Sequence, residues 1–248
     1  MNEVTLHYDT LLAQHYSWMV GVPFSAKVAE QQALLERLGV TGRSDLARSG
    51  LAVDLGCGPG FQSVALGQLG CAPVLAVDSC QALLSELATH VSDLPITTVC
   101  ADMRELRRLV APGSAAIIVC MGDTLTHLES REDVSRLLAD AYGALAPKGQ
   151  LVLTFRDLSV ELKGLDRFLP VRSDPDRIMT CVLEYETDHV VVNDLIHVRQ
   201  GDAWTFHKSG YRKLRLGVEP VLRELRELGF RVQGSQAAGG LHAIVATK

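Results

Sequence analysis

Short apolar segments alternate with amphipathic helical segments through the middle of the chain. The apolar runs are LAVDL (51–55), VLAVD (74–78), ITTVCAD (96–102), AAIIVCM (115–121) and LVLTF (151–155). Strands that are apolar along both faces are typical of a parallel sheet covered by helices. The clearest helix is predicted from Arg131 to Ala146, with Ser130 and Asp133 as a capping box at its start. The pattern predicts an α/β fold, doubly wound around a mostly parallel, seven-stranded Rossmann-like sheet.

The two ends of the chain and one internal stretch depart from this alternation. Residues 1–50 have helical periodicity, and residues 179–216 contain three β-rich segments separated at Thr187-Asp188 and at 200–202. A helix from Pro220 to Leu228 and two last strands complete the chain. We expect a single domain over 1–248, with a helical segment (1–50), a core (51–178 and 217–248) and a small antiparallel β insert (179–216).

Composition narrows the possible partners. The chain has 248 residues and a formal net charge of −5, which argues against a nucleic-acid partner and a polybasic membrane anchor. The longest apolar run, near 115–121, is far shorter than the ~20 residues that span a bilayer. The six cysteines form no C-x-x-C pair, so we expect reduced thiols, no metal site, and a cytoplasmic location without an N-terminal leader.

The sequence VDLGCGPG, residues 53–60, directly follows the first strand. Gly56, Gly58 and Gly60 allow a sharp turn and close approach of a ligand, and their G-x-G-x-G spacing differs from the G-x-G-x-x-G of dinucleotide folds. Asp54 precedes the glycines, where it can brace the loop or meet a cationic ligand. Asp78 ends the second strand, where a carboxylate can accept both hydroxyls of a ribose. The alternative is a purely structural turn with Asp78 facing solvent.

These residues resemble the class I S-adenosylmethionine (SAM)-dependent methyltransferases. The resemblance implies SAM as the cofactor, S-adenosyl-L-homocysteine as its product, and a ribose bound by Asp78. Asp102 and Met103 of the sequence CADM would meet the adenine, although Asp102 is also suited to cap a helix. The other cofactor-binding residues that we expect from it are Asp54, Gly56, Cys57, Gly58, Gly60, Ser79 and Met121.

The segment VCMGDTLTHL, residues 119–128, is similar to the corresponding segment of glycine N-methyltransferase-like enzymes that act on small molecules. Asp123 stands where that family has an amide, and it is equally suited to an N-cap. His127 is a candidate substrate contact or a packed core histidine. Arg156 matches the arginine that binds the substrate carboxylate in that family, with an internal salt bridge to Asp157 or Asp194 as the alternative.

The N-terminal sequence YDTLLAQHYSWM resembles the lid of the same enzymes. The resemblance implies that Tyr8 and Tyr16 reach the methionine end of SAM and that Lys27 meets its carboxylate. The alternative is an amphipathic helix whose aromatic residues belong to the core.

The function that we expect is methyl transfer by in-line displacement to an N or O atom of a small, carboxylate-bearing and therefore anionic molecule. The sequence does not identify a base, and the candidates are Asp123, His127, His197 and Tyr211. A homodimer is compatible with the sequence. Three alternatives stay open, namely another use of SAM such as cyclisation or sensing, a nucleotide-dependent oxidoreductase, and a macromolecular acceptor.

Overall fold

A seven-stranded sheet forms the centre of the computed structural model, which describes residues 3–40, 50–91, 93–238 and 240–248. Its strands are β1 (Leu51–Leu55), β2 (Val74–Asp78), β3 (Ile96–Cys100), β4 (Ala115–Cys120), β5 (Leu145–Phe155), β10 (Arg231–Ala238) and β11 (Leu241–Thr247). The strand order is β10-β11-β5-β4-β1-β2-β3. Strands β1 to β5 pair in parallel, whereas β11 pairs antiparallel with both β5 and β10. This confirms the predicted sheet.

Helices cover both faces of this sheet because its central strands are apolar on both sides. The helices are α3 (Phe24–Arg37), α4 (Phe61–Gln68), α5 (Gln81–Ala88), α6 (Leu106–Leu109), α7 (Arg131–Ala144) and α8 (Val218–Glu227). One core cluster joins the sheet to α6, α7 and α8, and the other joins it to α3, α4 and α5. The predicted cap of α7 is present, since Ser130 Oγ accepts the Asp133 N–H at 3.1 Å, but α7 ends two residues before the predicted Ala146.

A separate four-stranded antiparallel sheet, called the insert below, is formed by β6 (Phe168–Ser173), β7 (Arg177–Tyr185), β8 (His189–Gln200) and β9 (Ala203–Leu214) in that order. Its last three strands and both of their turns lie where the sequence predicts them. The first strand lies before the predicted boundary at residue 179, so the insert is one strand larger. Its sequence FLPVRS contains Pro170, which a sheet tolerates at an edge position such as this one.

The N-terminal segment of residues 3–20, called the lid below, is a series of short helical turns. It comprises α1 (Glu3–His7), a π-helical turn (Tyr8–Leu12), a 3-10 turn (Ala13–His15) and α2 (Tyr16–Val20). Leu11 and Leu12 pack against Met179 and Ile196 of the insert. The remaining parts of the predicted helical segment, residues 1–2 and 41–49, lie outside the described residues. No helix in the described ranges is long and apolar enough to cross a membrane.

Candidate functional site

A cavity lies at the carboxyl edge of the parallel strands, beneath the lid. Each of the first four strands contributes residues from the loop that follows it, and the lid closes the other side. Ligands of open α/β sheets bind at this edge. The wall is formed by Val4, Thr5, Tyr8, Tyr16, Gly56, Gly58, Val77, Asp78, Ser79, Cys80, Leu83, Ala101, Asp102, Met103, Arg104, Gly122, Thr124, His127, Leu128 and Glu129.

The glycine loop after β1 needs glycine at two of these wall positions. Gly56 has a φ of 67°, and a Cβ there would lie 2.1 Å from Thr124 Cγ2, so a side chain would collide with the loop after β4. Gly58 has a φ of 54°, a conformation that side chains disfavour. Its N–H donates to Asp78 Oδ2 at 2.7 Å. The loop is therefore fixed against the neighbouring strand, with its backbone facing the cavity.

Asp78 is held with its carboxylate against the cavity. Oδ2 accepts the Gly58 N–H, and Oδ1 accepts the Cys80 N–H at 2.8 Å. Burial raises the pKa of Asp78, although these backbone N–H donors act in the opposite direction. Because the two oxygens of a carboxylate together accept about four hydrogen bonds, Asp78 retains acceptor capacity for a ligand beside its backbone donors. Ser79 also lines the cavity, and its Oγ lies 3.3 Å from Thr5 Oγ1 of the lid.

Two residues of the glycine motif lie behind the cavity rather than in its wall. Asp54 is buried and accepts a hydrogen bond from Ser63 Oγ of α4 at 2.6 Å, and burial raises its pKa to about 7. Gly60 begins α4 with a φ of 93°, and a Cβ there would lie 2.0 Å from Leu87 Cδ1 of α5. Both residues therefore support the loop, and for Asp54 this matches the bracing alternative.

The loop after β3 contributes a charged cluster at one end of the cavity. Asp102 and Met103, the predicted adenine contacts, line the cavity, and so does Arg104. The Arg104 guanidinium donates to Asp102 Oδ1 through Nε at 3.0 Å and to Oδ2 through Nη2 at 2.7 Å. Burial favours protonation of Asp102, but the hydrogen bonds from Arg104 outweigh it and hold its pKa below the usual range. Asp102 also caps the following 3-10 turn by accepting the Arg104 N–H, so both predicted roles are compatible.

A second cavity adjoins the first along α3. Tyr16, Gly56, Gly122 and Thr124 line both cavities and so form their common wall. Beyond this common wall, the second cavity contains three further predicted cofactor-binding residues, namely Lys27, Cys57 and Met121. Lys27 Nζ is paired with Glu30 Oε2 at 2.7 Å.

An aromatic cluster lies where the lid, the insert and the loop after β4 meet. The His127 ring lies 5.9 Å from that of Tyr8 and 5.5 Å from that of Tyr211, and the Tyr8 and Tyr16 rings are 6.1 Å apart. These four residues are called the aromatic chamber below. Burial raises the pKa of Tyr16 to about 12 and those of Tyr8 and Tyr211 well above their ordinary value, so all three phenols are neutral.

His127 is the histidine of this chamber that faces the first cavity. Its Nε2 is shielded from solvent and has no hydrogen-bond partner among the described residues. Burial, reinforced by the nearby Lys213 ammonium, lowers its pKa to about 3, so the imidazole is neutral near pH 7. Because unpartnered buried polar atoms are uncommon in folded proteins, this nitrogen is a candidate ligand contact.

Asp123 and Arg156, which were predicted to contact substrate, are engaged with each other and with Lys213. Asp123 Oδ2 lies 2.5 Å from Lys213 Nζ of the insert and 3.7 Å from Arg156 Nε, and its Oδ1 accepts the Arg156 N–H. Burial favours protonation of Asp123, but Lys213 outweighs it and holds its pKa below the ordinary value. Neither residue belongs to the described walls of the two cavities, and the Arg156 side chain is 56% exposed.

The other predicted base candidate, His197, lies outside the site. Its ring stacks on Phe206 at 4.7 Å, within the insert. Sequence reasoning missed Arg104 and Lys213. Arg104 directly follows the sequence CADM, so extending that motif by one residue would have found it. Lys213 lies 90 residues from its partner Asp123, and no local pattern reveals such a pair.

Comparisons with known proteins agree with this geometry. Residues 52–149 match the methyltransferase domain family. The glycine/sarcosine N-methyltransferase of Halorhodospira halochloris is 34% identical over 110 residues, which are 42% of this chain and 39% of that protein. The matched region thus spans about two fifths of that relative. The putative methyltransferase YqeM of Bacillus subtilis is 31% identical over 195 residues, 76% of each chain.

The fold also occurs in solved structures. A SAM-bound amino pentose methyltransferase from Micromonospora echinaspora superimposes with a TM-score of 0.73 at 15% identity, covering 95% of this chain and 96% of that one. The glycine loop, the carboxylate that ends β2 and the match over three quarters of the Bacillus subtilis relative lead to one assignment. This chain belongs to the class I SAM-dependent methyltransferases.

Proposed function

We propose that the protein transfers the SAM methyl group to the nitrogen of a small-molecule amine held in the aromatic chamber. The proposal rests on the two joined cavities, which suit an elongated ligand, and on the chamber at their junction. SAM supplies a methyl group already activated by its sulfonium, so the protein has to bind, orient and exclude water rather than activate a leaving group.

The residues of the two cavities suit the two halves of SAM. The Asp78 carboxylate retains acceptor capacity for the ribose hydroxyls, and Asp102, Met103 and Arg104 offer a polar and planar surface for the adenine. In the second cavity, Lys27 provides a cation for the methionine carboxylate. Gly56, in the common wall, leaves room for the chain that connects the halves.

The chamber suits a neutral amine as the nucleophile. Tyr8 and Tyr16 are uncharged and line the first cavity, and the uncharged Tyr211 packs against Tyr8 and His127. These rings would exclude water from the line of displacement. A histidine with a pKa of about 3 is a poor general base, so we assign His127 the role of orienting the amine. The amine then loses its first proton to solvent before it binds and the second after transfer.

The observation that carries the proposal is the unpartnered Nε2 of His127 in the cavity wall. In the tautomer with its hydrogen on Nδ1, the neutral ring accepts a hydrogen bond from an amine N–H at Nε2, which leaves the amine lone pair free to attack the methyl group. An in-line displacement needs this kind of fixed orientation, and its loss costs on the order of 10²-fold in rate.

A second candidate is an amino acid whose carboxylate pairs with Arg156. It is favoured by the similarity to glycine/sarcosine N-methyltransferases and by the exposed guanidinium, which lies 3.7 Å from Asp123 without a close bidentate contact. An anionic substrate of this kind would approach from outside the described cavity walls. The variant Arg156→Ala distinguishes the candidates, because it would raise KM only for a carboxylate-bearing acceptor.

The test incubates the purified protein with SAM carrying a ¹⁴C-labelled methyl group and the low-mass fraction of a cell extract. Glycine, sarcosine and an amino sugar are assayed separately. We expect label in a low-mass amine. The variant His127→Ala is expected to lower the rate by about 10²-fold without weakening the binding of S-adenosyl-L-homocysteine. His197→Ala is the matched control, because that histidine lies in the insert away from the cavities.

Other outcomes contradict the proposal in distinguishable ways. Label only in macromolecules would indicate a different acceptor class, and label on oxygen would exclude the amine. SAM consumed without methyl transfer, detected by mass spectrometry, would indicate cyclisation. Binding of SAM without any turnover would indicate a sensor, whereas binding of NAD instead of SAM would indicate an oxidoreductase.

A further inference from the structure

A buried acid–base pair joins the lid to the insert behind the aromatic chamber. His7 Nε2 of α1 lies 3.0 Å from Asp194 Oδ2 of β8, and the two residues are 0% and 3% exposed. They are 187 positions apart in the chain. Burying a carboxylate is unfavourable unless it is hydrogen-bonded, so the pair fixes the register between the two segments.

The hydrogen bonds of His7 indicate which of its two ring nitrogens carries the hydrogen. Its Nδ1 is buried and has no partner among the described residues, so a hydrogen there would be left without an acceptor. The arrangement therefore places the hydrogen on Nε2, which donates to the Asp194 carboxylate. The negative charge of Asp194 also contributes, after burial, to the raised pKa values of Tyr8 and Tyr211.

The pair is in direct contact with the aromatic chamber through the His7 ring. The His7 ring packs on that of Tyr211 at 4.4 Å, and Tyr211 in turn faces Tyr8 at 6.4 Å and His127 at 5.5 Å. Tyr8 is also the next residue after His7, at the start of the π-helical turn. A shift of His7 would therefore displace two walls of the chamber together.

We propose that His7 and Asp194 are a positioning pair for methyl transfer, which sets Tyr8 and Tyr211 against His127. This inference rests on the proposed function of the chamber. The lid has other anchors, since Arg212 Nη1 binds Glu3 at 3.0 Å and Leu11 packs on the insert. Loss of the pair is therefore expected to misplace the tyrosines while the lid stays attached.

The test uses the full chain bound to [methyl-¹³C]SAM and the variants Asp194→Ala, Asp194→Asn and Arg212→Gln. Aromatic rings shift the resonances of a nearby methyl group, so the bound methyl signal reports the placement of the chamber walls. We expect Asp194→Ala to move this signal and to lower turnover with the low-mass extract fraction by about 10- to 100-fold. Asp194→Asn keeps an acceptor for His7 and should restore most of the native methyl signal and most of the turnover.

Two controls separate positioning from folding and from lid attachment. The dissociation constant of S-adenosyl-L-homocysteine should stay within about threefold in all three variants, as for substitutions that spare a site. Arg212→Gln removes an exposed anchor of the same helix and should leave the methyl signal and turnover unchanged. Equal losses in Arg212→Gln and Asp194→Ala would overturn the proposal, and so would an Asp194→Asn variant as impaired as the alanine variant.

A further variant, Tyr8→Leu, distinguishes failure of this inference from failure of the proposed function. If Tyr8→Leu moves the methyl signal and Asp194→Ala does not, the chamber surrounds the methyl group but the pair does not position it. If neither variant moves the signal, the methyl group lies elsewhere and the proposed function fails with the inference.

Discussion

Asp78 offers the sharpest test of the cofactor site, through its replacement by alanine or asparagine. Its two oxygens each accept one backbone N–H, at 2.7 and 2.8 Å, and the proposed function assigns the remaining acceptor capacity of the carboxylate to the two ribose hydroxyls. Hydrogen bonds to a charged group contribute about 1.5–3 kcal/mol each, so loss of both ribose contacts predicts about 3–6 kcal/mol, or roughly 10²- to 10⁴-fold in affinity. The affinity of Asp78→Asn should lie between those of Asp78→Ala and the native protein, because one side-chain oxygen remains.

The assay is isothermal titration with S-adenosyl-L-homocysteine and with its 2′-deoxy analogue. In the native protein the analogue should bind about 10- to 10²-fold more weakly, the equivalent of one charged hydrogen bond. In Asp78→Ala the two ligands should bind alike, since the partner of the hydroxyl is gone. Melting temperatures control for the loss of the contact to Gly58. An equal penalty for the analogue in both proteins would refute the assignment of Asp78 to the ribose.

Three further predictions concern stability. Gly60→Ala should lower Tm by roughly 5–15 °C in thermal unfolding, because its Cβ would lie 2.0 Å from Leu87 and because the φ of 93° disfavours a side chain. An unchanged Tm would contradict this packing. Asp54 has a folded pKa of about 7, above its unfolded value, so its contribution to stability is present below pH 4 and is lost as the pH rises towards 7. In urea unfolding, the free energy of unfolding should fall by on the order of 4 kcal/mol between pH 4 and pH 7, and Asp54→Asn should abolish this pH dependence. Lys213→Met removes the closest cation of the buried Asp123 carboxylate and should lower the free energy of unfolding in urea by about 3–5 kcal/mol, most of it recovered when Asp123→Asn is added.

The fold follows from local patterns that are visible in the sequence. The apolar strands, the capping box at Ser130 and the hairpin turn at Gly201 each act within a few residues, and each is observed. Strand β6 was missed because its edge position relaxes the alternation and admits Pro170. Residues 41–49, predicted as part of the helical segment, stay a prediction.

The same difference between local and long-range contacts decides which site residues the sequence predicts. Asp78, Gly58 and Asp102 lie in the cavity wall because strand ends and their loops fix them, and short motifs encode such positions. Asp123 is paired with Lys213, a residue from another sheet, and Arg156 lies beside the same carboxylate, so no spacing along the chain reveals this arrangement.

The way the lid is attached determines which parts of this protein could be exchanged with a relative. The buried hydrogen bond of the lid, from His7, and the apolar contacts of Leu11 are made with the insert, whereas the hydrogen bond between Thr5 of the lid and Ser79 of the core is exposed. A chimaera that replaced the lid alone would place an unrelated helix over the buried Asp194 carboxylate. Engineering a new acceptor preference therefore requires transplanting the lid and the insert as one cassette, onto a cofactor-binding core that stays unchanged.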